Sequence, residues 1–72
     1  MGRLSNISGK KAVRILCTFG YALDHQTGSH MILSHSTRCT LSVPDHPELA
    51  PGLLRGLLRK SGITVQDFLK RK

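Results

Sequence analysis

The sequence predicts an α+β fold, a two-layer sandwich of a three-stranded antiparallel sheet with helices on one face. Its 72 residues are the length of one domain, so residues 1–72 are treated as a single unit. Apolar residues recur at helical spacing near both ends of the chain. Between them, residues 38–43 alternate polar and apolar side chains, which is typical of a strand with one buried face.

The first helix is predicted to begin after Ser8 and to run to about Thr18. Serine is a favourable N-cap, and Gly20 can close the helix in left-handed geometry. We expect residues 1–7 to be a short, partly ordered lead. The predicted apolar face of this helix consists of Ala12, Val13, Leu16 and Cys17.

Three strands are expected to follow, over residues 19–25, over residues 29–35, and over the alternating segment that Pro44 ends. The turn over residues 26–28 contains Gly28, which tolerates positive φ. The second strand carries apolar residues on both of its faces, which favours a central position in the sheet.

The second helix is predicted to open at Pro51, because proline is well suited to the first turn, and to end at Gly62. Thr64 is predicted to cap a short last helix, with Asp67 completing a capping box. Helix, three strands and helix is also the order of double-stranded RNA-binding domains. A leucine stripe is expected in the core, formed by Leu53, Leu54, Leu57 and Leu58.

Positive charge is concentrated at the two ends of the chain. Eleven Lys and Arg stand against four Asp and Glu, giving a net charge of +7. Residues 1–14 and 51–72 hold nearly all of the basic residues, whereas residues 15–50 hold all four histidines and three of the four acidic residues. This distribution suits a polyanion such as nucleic acid, or an acidic protein that covers the same surface.

The composition also bears on the compartment. Cys17 and Cys39 lie in apolar patterns, which favours buried free thiols in a reducing cytosol over a disulfide scaffold. The sequence has neither an apolar run long enough to span a membrane nor a signal-peptide apolar region at its start. We therefore expect a cytoplasmic protein without a membrane partner.

Three local patterns occur together along the chain, and they resemble those of the HicA family of toxin mRNA interferases over about residues 9–69. The patterns are Gly28-Ser29-His30, Val43-Pro44 with His46 close behind, and Pro51-Gly52-Leu53-Leu54-Arg55 in a leucine-rich helix ending at Lys60-Ser61-Gly62-Ile63-Thr64. Two positions depart from the family pattern: Leu53 stands where Thr is frequent, and Met31 stands where a polar residue or His is frequent.

The resemblance implies a fold like that of a double-stranded RNA-binding domain and a toxin that cleaves mRNA as a ribonuclease without a bound metal or cofactor. It also implies control by a cognate HicB antitoxin. The catalytic histidine of the family corresponds to His30 in this sequence.

The residues themselves are compatible with this chemistry. RNA carries its own nucleophile, the 2′-hydroxyl, and the pKa of histidine, about 6.5, suits proton transfer near neutral pH. We expect His30 to act as general base or acid, with Gly28 and Ser29 supporting it. A metal-dependent nuclease would instead need clustered carboxylates, which are dispersed here. The side chains expected to bind phosphate are Lys10, Lys11, Arg14 and Arg38.

Several alternatives remain open at this level. His25 is placed to face His30 across the hairpin as an acid–base partner, although an exposed strand histidine without a role is more common. His35 is expected at a strand end and His46 in a proline-rich loop. A zinc site formed by the first three histidines and Cys39 would match no common metal motif. The competing functions are a non-catalytic double-stranded-RNA-binding module and a helix-turn-helix DNA-binding regulator.

Overall fold

The computed structural model describes residues 4–72 and confirms the predicted α+β layout. Three strands form one antiparallel sheet in the order β1-β2-β3, so the second strand is central, as predicted. The helices cover one face of this sheet. In chain order, the elements are α1 (Gly9–Cys17), β1 (Ala22–Thr27), β2 (His30–Ser34), β3 (Leu41–Pro44), α2 (Pro51–Ser61) and α3 (Val65–Lys70).

Helix α1 begins and ends where the sequence predicts. The Ser8 hydroxyl accepts a hydrogen bond from the Lys11 backbone N–H at 3.0 Å, as an N-cap does. Thr18 is the C-cap, and Gly20 follows with a φ of +95°. The buried face differs at its end, because Ile15 points into the core and Cys17 is exposed.

Strand β1 starts later than the predicted residue 19. The backbone N–H groups of Phe19, Gly20 and Tyr21 donate to carbonyls of α1, at 2.9, 3.2 and 3.4 Å. These residues therefore close the helix and are unavailable for strand pairing. Tyr21 is buried between the two elements, and the sheet begins at Ala22.

The core lies between the sheet and the helices. Alternation in β3 is confirmed, since Leu41 and Val43 are buried and Ser42 is exposed. In β2 the same face buries Met31 and Leu33. The remaining sheet face carries no helix in the described part of the chain.

The second and third helices follow the predicted pattern. Pro51 occupies the first turn of α2, and Gly62 ends it with a φ of +81°. The Thr64 hydroxyl accepts from the Asp67 backbone N–H at 3.1 Å and caps α3, whose Phe68 is fully buried. The prediction that the whole leucine stripe is core is wrong for Leu53, which is 40% exposed. No helix within residues 4–72 is both long and apolar enough to cross a membrane.

The short lead, expected to be partly ordered, is packed from residue 4 onward: Leu4 and Ile7 are buried, and the Ile7 carbonyl accepts from the Leu49 N–H at 2.8 Å. Residues 1–3 lie outside the described residues. The expected burial of Cys17 and Cys39 is wrong, since both thiols are free and exposed. Cys39 lies before the first residue of β3, so the alternation of buried and exposed side chains in that strand does not extend to it.

The start of α1 is packed directly on the backbone at the end of β3. Gly9 is buried, and its N–H donates to the His46 carbonyl at 2.9 Å. A methyl group at Gly9 would overlap the Pro44 carbonyl oxygen, with the Cα of Asp45 close behind. Only a residue without Cβ allows this approach.

We expect Gly9→Ala to lower the free energy of unfolding by about 1–3 kcal/mol, because the overlap with rigid backbone forces the helix away from the sheet. The matched control is Gly56→Ala in the middle of α2, where a Cβ meets open space. That change is expected to stabilise by about 0.5–1 kcal/mol through better helix propensity. Urea unfolding of both variants measures the difference, and equal stabilities would contradict the tight contact.

Candidate active site on the open sheet face

His30 is the first residue of β2 and its side chain is exposed. It follows a two-residue hairpin loop in which Gly28 has a φ of +58°, as glycine has at the first loop position of a type II′ turn. No atom of the described chain lies within 4 Å of the place where a Gly28 Cβ would be, so glycine is needed for its backbone conformation rather than for space.

The pairing of the strands defines which residues share a face with His30. Thr27 lies directly opposite His30, and His25 lies opposite Ile32. Since Met31 points into the core, its neighbours in β2 point to the other side. We call this side the open face; it consists of His25, Thr27, His30, Ile32 and Ser42.

The start of β2 is fixed from the β3 side. His30 pairs with Pro44, and the Ser29 carbonyl accepts from the Asp45 N–H at 2.6 Å. Because Gly9 packs on Pro44 and Asp45, the N-terminus of α1 lies at the same end of the sheet as His30.

That helix end carries two lysines, and Asp45 of the loop after β3 packs against it. Its first turn contains Lys10 and Lys11 and no acidic residue, and the helix dipole adds positive potential there. Lys10 is exposed and Lys11 half-buried, while Arg14 is exposed one turn further on. Three of the predicted phosphate-binding side chains therefore belong to the helix whose start lies at the same end of the sheet as His30.

Arg38 lies elsewhere. It stands in the loop between β2 and β3, at the end of β2 remote from His30, and its Nη1 donates to the Ser61 carbonyl at 2.8 Å. Ser61 is the last residue of α2, so the guanidinium satisfies a carbonyl at the negative end of that helix. The structure separates Arg38 from the other predicted site residues and gives it a structural contact.

His35 organises the same loop. Its Nε2 donates to the Phe19 carbonyl at 2.8 Å, and its Nδ1 accepts from the backbone N–H groups of Thr37 and Arg38 at 3.0 and 3.1 Å. Three bonds to main-chain groups give this histidine a structural role. His35 follows the last residue of β2, as predicted.

Tyr21 also contacts the loop between β2 and β3. Its hydroxyl donates to the Cys39 carbonyl at 2.8 Å, and its ring meets His35 edge-on at 4.8 Å between centroids. Burial raises the pKa of the Tyr21 phenol, against a smaller opposite effect of the Arg38 charge. The phenol therefore remains a hydrogen-bond donor at neutral pH.

His25 has a carboxylate partner next to it in the chain. Its Nδ1 lies 2.8 Å from Asp24 Oδ2, and both side chains are more than half exposed. A β-bulge between Leu23 and His25 shifts the register at this point. Sequence analysis named His25 but missed the bulge and the pairing of Thr27 with His30, which depend on register rather than on residue type.

Metal-ligating side chains are dispersed. Within residues 4–72, no three His, Cys, Asp or Glu side chains come together in a group that could hold a metal ion. The residues of the alternative zinc site, His25, His30, His35 and Cys39, do not form such a group.

The fold and this site define a small basic α+β domain with a histidine on an open sheet. Residues 9–63 match the model of the family described as the HicA toxin of bacterial toxin-antitoxin. The chain therefore belongs to the HicA toxin family, the toxins of toxin–antitoxin systems, and the family implies a cognate HicB antitoxin. No curated protein and no solved structure was found to match the chain.

We expect Arg38→Ala to lower the free energy of unfolding by about 1.5 kcal/mol, because a half-buried charged hydrogen bond at the end of α2 is lost. Thermal unfolding tests this, with Arg59→Ala as the control, since Arg59 is an exposed arginine on the same helix. The predicted phosphate contact of Arg38 is tested separately by RNA affinity, measured well below the unfolding midpoint. Unchanged stability of Arg38→Ala would contradict the structural role.

Proposed function

We propose that this toxin is an endoribonuclease that cleaves mRNA without a metal ion and that His30 is its catalytic group. The observation that carries the proposal is the position of His30. Within the family-matched residues 9–63, it is exposed on the open face, at the same end of the sheet as the basic N-terminus of α1. A flat, open face suits a polymeric substrate better than a small molecule, which needs a concave pocket.

The chemistry requires little beyond proton transfer and charge stabilisation. The 2′-hydroxyl of RNA attacks the adjacent phosphorus once a base removes its proton, and the 5′ oxygen leaves once an acid protonates it. An imidazole performs either step near neutral pH. The expected products are a 2′,3′-cyclic phosphate and a 5′-hydroxyl end.

The distribution of carboxylates supports metal independence. Asp24 lies in β1, Asp45 and Glu48 lie in the loop after β3, and Asp67 lies in α3. Two-metal phosphodiester cleavage depends on carboxylates that share one site. This chain relies instead on imidazole and on cationic side chains.

Phosphate binding is assigned to the start of α1. Lys10, Lys11 and Arg14 supply charge, and the first turn of the helix supplies a positive dipole end. Gly28 and Ser29 shape the adjoining loop so that a phosphate can approach its backbone.

The biological role follows from the family. An mRNA-cleaving toxin acts in the cytoplasm, and the exposed free thiols Cys17 and Cys39 suit a reducing compartment. The HicB antitoxin is expected to be acidic, or to insert a segment over His30, because the lysines at the start of α1 would bind the substrate.

A non-catalytic double-stranded-RNA-binding module is the second candidate. The α-β-β-β-α layout and the basic α1 favour it. It differs from the first candidate in one prediction: removal of the His30 imidazole would leave its cellular effect unchanged.

We expect His30→Ala to reduce the rate of RNA cleavage by at least about a hundredfold, because the acid or base step loses its catalyst. RNA affinity should change little, since the lysines of α1 remain. Cleavage of a defined RNA and mapping of its product ends measure both claims. A 5′-phosphate end in the wild-type products would rule the mechanism out.

The control for this experiment is Gln66→Ala, an exposed change on α3. That helix lies towards the C-terminal end of α1, where Arg71 donates to the Thr18 carbonyl at 2.7 Å. Induced expression of the wild type, His30→Ala and Gln66→Ala links the activity to growth arrest. Growth arrest by folded His30→Ala would favour the binding module.

We expect the double variant Lys10→Ala/Lys11→Ala to bind RNA more weakly and with a smaller salt dependence. Each lost phosphate contact should lower the slope of log affinity against log salt by about one. Lys70→Ala/Lys72→Ala, which removes the same charge near the C-terminus, is the matched control. Equal effects of the two double variants would contradict a specific phosphate site at α1.

A further inference from the structure

The open face carries a second imidazole, that of His25, and the Asp24 carboxylate is within hydrogen-bonding distance of it. His25 is exposed in β1, and its Nδ1 lies 2.8 Å from the Asp24 carboxylate. When Nδ1–H donates to Asp24, Nε2 is the free ring nitrogen and faces away from the carboxylate. A carboxylate that fixes the tautomer of a histidine in this way produces a proton acceptor at Nε2.

The bulge brings this histidine to the side of His30. Without the bulge that the extra residue Asp24 makes between Leu23 and His25, His25 would be left on the core face, because Leu23 pairs with the core residue Leu33. At the bulge, the two β1 residues Asp24 and His25 lie opposite the single β2 residue Ile32. Bulges of this kind commonly redirect a side chain next to an active site.

The separation fits one phosphodiester between two imidazoles. His25 pairs with Ile32 and Thr27 pairs with His30, so the two histidines are diagonal neighbours on one face. Diagonal neighbours in an antiparallel pair have Cα atoms about 7–8 Å apart. Each ring can then reach a hydrogen-bonding distance of about 2.6–3.2 Å from one side of a bound phosphate.

We propose that His25, held by Asp24, is the general base of the cleavage and that His30 is the general acid. This inference rests on the proposed ribonuclease function and divides its two proton transfers between two residues. Asp24 is a positioning residue, since it acts through His25.

The step balances in protons and bonds. His25 Nε2 takes the proton of the 2′-hydroxyl, the 2′ oxygen forms a bond to phosphorus, and the bond from phosphorus to the 5′ oxygen breaks. Protonated His30 gives its proton to that departing oxygen. The products are the 2′,3′-cyclic phosphate and the 5′-hydroxyl, and proton exchange with water returns His25 to its neutral form and His30 to its protonated form.

The test compares two RNA substrates of the same sequence, one natural and one with sulfur in place of the bridging 5′ oxygen. A thiolate leaves without protonation, because thiols lose their proton near pH 8.5, whereas an alkoxide needs an acid. Loss of the acid should therefore be repaired by sulfur, and loss of the base should not.

We expect both His25→Ala and His30→Ala to cleave the natural RNA at least about a hundredfold more slowly than the wild type. On the sulfur substrate, His30→Ala should recover most of the wild-type rate and His25→Ala should remain slow. The Asp24→Asn variant should cleave both substrates about tenfold more slowly than the wild type, whereas Asp24→Glu, which keeps a carboxylate, should cleave them at a rate near that of the wild type. Leu23→Ala, on the other side of the same bulge, is the control for disturbance of the strand.

The outcomes separate this inference from the proposed function. If His25→Ala cleaves natural RNA like the wild type while His30→Ala is inactive, the inference fails and the ribonuclease stands. If sulfur repairs His25→Ala and not His30→Ala, the assigned roles are overturned. If folded His30→Ala cleaves natural RNA at the wild-type rate, the proposed function itself fails. Circular dichroism confirms that each variant is folded.

Discussion

The close approach of α1 to the backbone after β3 is the contact on which the rest of the structure depends. Gly9 lies against the Pro44 carbonyl and donates its N–H to His46. The same backbone segment holds the hairpin, because the Asp45 N–H donates to the Ser29 carbonyl. One short segment therefore fixes both the basic end of α1 and the start of β2. Main-chain contacts thereby hold the lysines of α1 and His30 at the same end of the sheet.

Most of the fold could be predicted because its boundaries are set by local chemistry. The caps at Ser8 and Thr64 and the left-handed glycine at Gly62 are determined by the residue itself. The boundaries that failed depend on tertiary packing. The later start of β1 arises because the N–H groups of residues 19–21 bond back to α1. The order at residue 4 arises because Leu4 and Ile7 complete a core that helical or strand periodicity cannot reveal.

The candidate site likewise combines features that local sequence patterns predict with features that depend on tertiary structure. The place of His30 at the start of the central strand could be predicted from the local pattern, and it lies within the family match over residues 9–63; its catalytic role stays a prediction. The sequence indicates His25 as a neighbour of His30, but the bulge that turns His25 to the open face and the pairing of Thr27 with His30 could not be predicted, since they depend on the register of β1. The phosphate contact expected of Arg38 stays a prediction, and the structure adds a hydrogen bond from its Nη1 to the Ser61 carbonyl at the end of α2.

Alternation along the strands places the core residues on one face of the sheet and the candidate site residues on the other. A chain of this length buries a modest share of its surface, so its core leaves little margin for substitution. In β2 the core-facing residues Met31 and Leu33 alternate with His30 and Ile32 on the open face. Side chains on the open face can therefore be substituted with little loss of packing, because the core is formed by the neighbouring residues that point to the other face. Within residues 4–72 the same alternation leaves that face without a helix, so a partner that bound there would not have to displace any described part of the fold.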